Sequence, residues 1–330
     1  MKLKKVMKIK SDKKIDGNLF FDGKLIFINE WYTLKSEVII TGSLNARSVE
    51  TRKRWRGKKG VDIIVKKNYI VIEDDIVNGN QTIHGYQIIG GDQKILGEQK
   101  INKHQKIKGN QVVAIQTIGE YQVVVGYQMT GEQKISGYQK IKGGQMILKN
   151  QKIGDYQIIN GGQTIEGDQE INQLQRITGT QKVIGTQTIY GNQIIGSGSQ
   201  KILSSQTIKG NQWIKGNQKI LGEQNIEESQ IIDGEQEITE TQTVGGFQSI
   251  EGNQKIGKEQ NISTFQLVEG NIDVGHSINT GDIIIAEKIK CGSGYTIKAG
   301  GTIEVDEVIG KVENGKVKRL NTKKKELSLF

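Results

Sequence analysis

The sequence predicts an all-β fold, a single-chain parallel β-helix (β-solenoid), and three observations carry that expectation. From Gly79 to Val268 the chain repeats Gly-x-Gln-x-Ile-x, with 32 glutamines running from Gln81 to Gln266. The residue two after each glutamine is Ile or Val except at Thr130, and the residue two before is Gly in 21 of the 32. Proline is absent while Gly numbers 43, as a hydrogen-bonded ladder with tight corners requires. A short period bounded by turn residues is the mark of a solenoid.

Gly, Gln and Ile stand two apart, so in an extended strand they share one face, and the residues between them point the other way. After Gln the outward residues are mostly Lys, Thr, Glu and Asn. Before Gln, pairs such as Gly-Asn, Gly-Asp and Gly-Glu supply turn chemistry. Each hexad therefore reads as a short Gln-x-Ile strand followed by a corner. A helix is opposed by Gly every six residues and by the period-two apolar pattern. A disordered spacer is opposed by an aliphatic residue at nearly every sixth position.

Facing inward, Ile forms a stacked aliphatic ladder and Gln shares that interior. A buried unpaired amide costs about 1–3 kcal/mol, so the glutamines must pair with one another. Coils about 4.8 Å apart let each amide donate to one neighbour and accept from the other. The alternative is a corner between Gln and Ile that leaves the amide in water; the inward arrangement is the one expected. The residue after Gln is apolar at Ile88, Val123, Ile158, Ile194, Ile231 and Leu267, a spacing of about 36 residues. That order fits coils of 12, 18 or 36 residues, of which 18 is expected. Ten to eleven such coils would span about 50 Å. Five-residue steps (Gln111 to Gln116, Gln128 to Gln133) and a seven-residue step (Gln193 to Gln200) are expected to be absorbed at corners.

On these residues the pattern resembles the hexapeptide-repeat left-handed parallel β-helix. Ile83, Ile89 and Ile95 match that family's inward aliphatic slot. Gln81, Gln87 and Gln93 stand where the family has a small residue, and Gly follows Ile by two. The flanks GNIDVGHSINTGDIIIAEKIK and AGGTIEVDEVIG are similar to the irregular coils of bactofilin-type polymer-forming solenoids. Acyltransferases of the hexapeptide class use a histidine at a cleft between subunits, usually with inserted loops; no such loop interrupts these hexads.

Four segments follow: a β-rich cap or irregular coils over 1–78, the hexad solenoid over 79–270, irregular closing coils over 271–310, and a charged, loose tail over 311–330. Segment 1–78 has 18 basic and 10 acidic residues, segment 271–330 has 10 and 8, and the hexad region balances. A neutral repeat argues against a nucleic-acid track, which needs a positive stripe. No apolar run is long enough for a transmembrane helix, and no signal peptide is recognised, so a cytoplasmic location is the default with export by another route left open. Cys291 is the single cysteine and has no internal disulfide partner.

The densest local signal is the basic run Arg52, Lys53, Arg54, Trp55, Arg56, Lys58, Lys59, suited to an anionic polymer or surface or to a solvated loop. Tyr86, Tyr121, Tyr127, Tyr138 and Tyr156 precede glutamines and would form an outward aromatic stripe beside Ile88, Val123 and Ile158, for a partner or for corner packing. His84, His104 and His276 read as surface residues, and Glu73, Asp74 and Asp75 as a polar strand end. No catalytic, cofactor or metal site is expected. The expected function is a non-enzymatic structural solenoid that self-associates into a filament or scaffold. The alternative is an adhesin-like module recognising a glycan or surface through the Tyr/Ile stripe.

Overall fold

The computed structural model describes residues 6–10, 14–28, 37–52 and 61–319. The chain divides into two compact units, Met1–Gln173 and Leu174–Phe330. Among the described residues all regular structure is β-strand, and no helix is long and apolar enough to cross a membrane.

In the first unit most hexads give a three-residue strand, as in Gln87–Ile89 and Gln105–Ile107, with the outer two side chains buried and the middle one outward. Strands stack parallel and in register: Gln87 lies opposite Gln105, and Ile89 opposite Ile107. One coil is therefore three hexads, about 18 residues, as expected, and the 36-residue order is two coils. Ile88, Val123 and Ile158 share one face and alternate there with Lys106 and Lys140. The second unit has the same construction. Ile194, Ile231 and Leu267 alternate with Trp213 and Ser249 on one face.

The core of each unit is narrow and built from two kinds of ladder. Ile83, Ile89 and Ile95 in the first unit, and Ile195, Ile202 and Ile208 in the second, are fully or almost fully buried. Each such side chain contributes about 1.5–3 kcal/mol relative to exposure. The ladder glutamines beside them are buried as well, none more than 2% exposed. Thr130, the exception in the aliphatic slot, is buried with its hydroxyl oxygen unpaired.

The corners explain the Gly-Asx pairs. The side-chain oxygen of Asn80 accepts the backbone N–H of Glu98 on the next coil at 2.8 Å, and that of Asn150 accepts Asp168 N–H at 2.9 Å. A Cβ at Gly97 or Gly167 would lie 2.3 Å from these oxygens. Glycine is thus needed where the preceding coil's Asx side chain reaches in.

The uneven steps are absorbed at corners, by two different means. Gln111–Ile118 and Gln128–Ile135 each run as one eight-residue strand across the five-residue step. Against Gln93–Ile101, with its normal step, the register shifts between Ile95 and Glu98. The seven-residue step places its extra residue at Gly196–Ser199, where the Ser197 hydroxyl donates to the Thr178 carbonyl. Gln193 and Gln200 still face Gln212 and Gln218.

Coil geometry continues beyond the hexads. Tyr69–Val71 and Asp75–Val77 are three-residue strands that place Tyr69 opposite Gln87 and Asp75 opposite Gln93. In the second unit Ile272, Ile278 and Ile284 lie opposite Gln254, Gln260 and Gln266. The segment expected to be a loose tail from 311 instead begins as the strand Lys311–Lys318, paired with Thr296–Ile309. Val312 and Val317 lie opposite Ile297 and Ile303 of that strand. Leu327 and Phe330, which by sequence could give the tail a weak docking point, lie outside the described residues.

Candidate functional site

The buried glutamines form directional amide ladders. Gln105 Nε2 donates to Gln87 Oε1 one coil earlier at 2.5 Å, Gln122 to Gln105 at 2.7 Å, Gln139 to Gln122 at 2.8 Å and Gln157 to Gln139 at 2.7 Å. Cross-links join the columns: Gln122 Nε2 also reaches Gln111 Oε1 at 2.8 Å and Gln116 Oε1 at 3.0 Å. The second unit repeats this, with Gln212 Nε2 on Gln193 Oε1 at 2.7 Å and Gln230 Nε2 on Gln212 Oε1 at 2.6 Å. In these bonds the amide N–H groups point to earlier coils and the carbonyls to later ones.

Asp75 sets that direction in the first unit. It occupies a glutamine slot, fully buried, and its Oδ2 accepts Gln81 Nε2 at 3.0 Å and Gln93 Nε2 at 2.9 Å. Its Oδ1 accepts the Tyr69 hydroxyl at 2.5 Å. Both Asp75 oxygens accept in these contacts, so the first amides turn their NH2 groups toward it. Burial raises the Asp75 pKa, while the donors Gln93, Tyr69 and Gln81 work against that rise. Tyr69 is held well above the usual tyrosine range by burial first, then by Asp75. At the far end of the second unit's ladder, Gln260 Oε1 and Gln266 Oε1 are buried without a partner, facing positions held by Ile278 and Ile284.

Outside the core, the first unit carries a column of stacked rings: Tyr86, His104, Tyr121, Tyr138 and Tyr156. Successive centroids are 5.1, 4.7, 4.7 and 4.9 Å apart, with planes within 5°. The tyrosine stripe expected from sequence is therefore present at Tyr86, Tyr121, Tyr138 and Tyr156. Tyr127 precedes Gln128 in a different column and lies against Gly144. His104 completes the stack, a role its variable-looking position hid. Its Nδ1 is 3.5 Å from Glu120 Oε2. Lys106 stands over Tyr121 at 5.9 Å, and Lys140 over Tyr138 and Tyr156 at 5.2 and 5.5 Å. Burial first, then its tyrosine neighbours, raises the Tyr138 pKa.

The second unit has a groove where the first has rings. Asn192, Asn211 and Ser229 precede the glutamines there, and Phe247 closes the run, stacked on Phe265 at 5.1 Å. Ile194, Trp213 and Ile231 floor this groove of about 230 Å³. Trp213 is 42% exposed and its Nε1–H donates to Asp233 Oδ1 at 3.2 Å. Asp233, Glu251 and Glu269 line the adjoining corner on successive coils. The Glu251 carboxyl is raised by burial and then by Asp233 and Glu269.

Other sequence candidates separate. In the basic run, Arg52 ends the strand Leu44–Arg52, and Lys53, Arg54, Trp55, Arg56, Lys58 and Lys59 lie outside the described residues. Glu73 pairs with Arg47 at 2.7 Å, and Asp74 Oδ1 accepts Asp92 N–H at 2.9 Å. The triplet Glu73, Asp74, Asp75 is thus a salt bridge, a corner acceptor and a ladder cap. Among the described residues no group of three or more His, Cys, Asp or Glu is placed to hold a metal ion. Cys291 is buried, which raises its thiol pKa. No protein-family model, curated protein or solved structure matches this chain.

Proposed function

We propose that the chain is a non-enzymatic structural β-solenoid that self-associates into a scaffold or filament. The observation that carries this reading is the outward face of the first unit. Five rings in register make an aromatic column repeating at the coil spacing, beside a row in which Ile88, Val123 and Ile158 alternate with Lys106 and Lys140. Repeated aromatic and aliphatic surface of this kind suits association with another regular surface. The likeness of the flanks GNIDVGHSINTGDIIIAEKIK and AGGTIEVDEVIG to polymer-forming bactofilin-type coils points the same way.

The histidines fit this reading without a catalytic role. His84 lies 3.5 Å from Lys66 Nζ and 3.4 Å from Asn102 Nδ2, His104 is sandwiched between tyrosines, and His276 stacks on Tyr295. An adhesin-like module that binds a glycan through the tyrosine stripe has less support. Sugars stack on ring faces, and here the faces of His104, Tyr121 and Tyr138 are taken up by their neighbours.

Sedimentation velocity of the full chain over a range of concentrations tests the proposal. Growth of larger species with concentration is the expected result. A single species of monomer mass throughout would remove it.

A further inference from the structure

Resting on that reading, the two units suggest how copies meet. In the first unit the face bearing the rings is basic at its strand and corner positions: Lys103, Lys106, Lys108, Lys140 and Lys142 against Glu120 and Asp155. Glu120 is already 3.5 Å from His104. In the second unit the face bearing the groove is acidic: Glu228, Asp233, Glu251 and Glu269 against Arg176 and Lys215.

We propose that the aromatic, basic ridge Tyr86–Tyr156 of one copy docks along the groove at Asn192–Phe247 of a second copy, with its lysines against the adjoining acidic column Asp233, Glu251 and Glu269.

Three features favour a second copy as the occupant. The first is pitch. Ridge rings recur every 4.7–5.1 Å, and groove residues recur once per coil of the same parallel stacking, so ridge and groove stay in step along their length. A folded partner lacking this period would fit at one coil and miss at the next.

The second is shape. Rings stand on the first unit at the position just before glutamine, and Asn192, Asn211 and Ser229 replace them on the second. The ring edges, which stacking leaves outward, meet a floor of Ile194, Trp213 and Ile231.

The third is charge. Asp233, Glu251 and Glu269 stand one coil apart and repel one another, which contributes to the raised Glu251 carboxyl. Lys106 and Lys140 alternate with apolar residues and stand two coils apart. Apposing them relieves the acidic column. Ridge and groove are unlike patches, so the contact joins a different surface of each copy and is heterologous at each junction.

The test is a charge-swap cycle read by sedimentation velocity on the full chain. The variants are Lys106→Glu with Lys140→Glu, Glu251→Lys with Glu269→Lys, and all four together. These side chains are exposed, and circular dichroism checks that each variant keeps its β content. Each pair is expected to weaken association at least about tenfold, and the fourfold variant to recover it. Ser229→Trp, which fills the groove while leaving the charges, is expected to weaken it too. Association unchanged in both pairs and in Ser229→Trp would overturn the ridge–groove contact while leaving self-association standing. Weakening without recovery in the fourfold variant would also overturn it, since the two faces would then not meet each other. A wild-type chain that never associates would remove the contact and the reading beneath it together.

Discussion

Asp75 accepts the carboxamide of Gln81 at 3.0 Å, six residues on, at the point where the first unit's amide ladders begin. The relationship resembles an acidic residue capping a helix N-terminus. Aligned amide dipoles leave unsatisfied N–H groups at one end, and a carboxyl acceptor there takes up their hydrogen bonds.

Asp75→Ala leaves Tyr69 Oη, Gln81 Nε2 and Gln93 Nε2 without their shared acceptor. The expected loss is about 3 kcal/mol or more, since each buried orphan costs about 1–3 kcal/mol. Repeat proteins lose stability locally, so amide hydrogen exchange over residues 69–93 is the direct reading. Protection equal to wild type there would show that the cap is dispensable.

The same residue gives a pH dependence. Burial raises its pKa, so the folded state holds the proton more tightly than the unfolded chain. The stability linked to Asp75 is full below the ordinary aspartate pKa and declines as pH rises through the raised folded value. Measured against Asp75→Asn, which does not titrate, wild type should lose relative stability over that window. A relative gain with rising pH would mean that the three donors outweigh burial.

Position along a ladder should decide the cost of removing a rung. Gln122 Nε2 shares its two hydrogens among three glutamine carbonyls, and its Oε1 accepts from Gln128 and Gln139 at 2.8 Å. Gln260 donates to Gln242 and Gln248 at 3.1 Å, and its Oε1 has no partner. Gln122→Met is expected to cost about 2–4 kcal/mol and Gln260→Met clearly less, because the latter also removes an orphan. Denaturant midpoints for the two variants make the comparison; equal losses would contradict the directional ladder.

At the corners, Gly167→Ala places a methyl 2.3 Å from Asn150 Oδ1 and 2.5 Å from the Lys149 carbonyl. The Asn150 bond to Asp168 N–H must then break or the coils must part. A loss of about 1–3 kcal/mol is expected, seen as a lower melting temperature. An unchanged melting temperature would show that the corner yields freely.

The hexad made the strand, the coil and the inward glutamine legible, because periods of two and six translate directly into faces and turns. The cap was not legible as such, although its spacing is present in the sequence. Asp75-Ile-Val and Tyr69-Ile-Val stand six and twelve residues before Gln81-Thr-Ile, in the same slots. An acidic residue in an inward slot is a costly exception that only its three donors explain. His104 was missed for a related reason. Its variable-looking position lies 18 residues after Tyr86 and 17 before Tyr121, so coil length had to be known before it joined the rings. The groove was hidden because Asn192, Asn211 and Ser229 look like ordinary corner residues until they are set against Ile194, Trp213 and Ile231.

The claim on which the rest stands is that the repeated glutamines form a buried, hydrogen-bonded amide ladder. Exchange of their side-chain carboxamide protons, followed by NMR after transfer to heavy water, tests it most directly. Protection of the Gln Nε2 protons comparable to that of the strand amides is the expected result. Carboxamide protons that exchange as fast as those of a free glutamine side chain would contradict it.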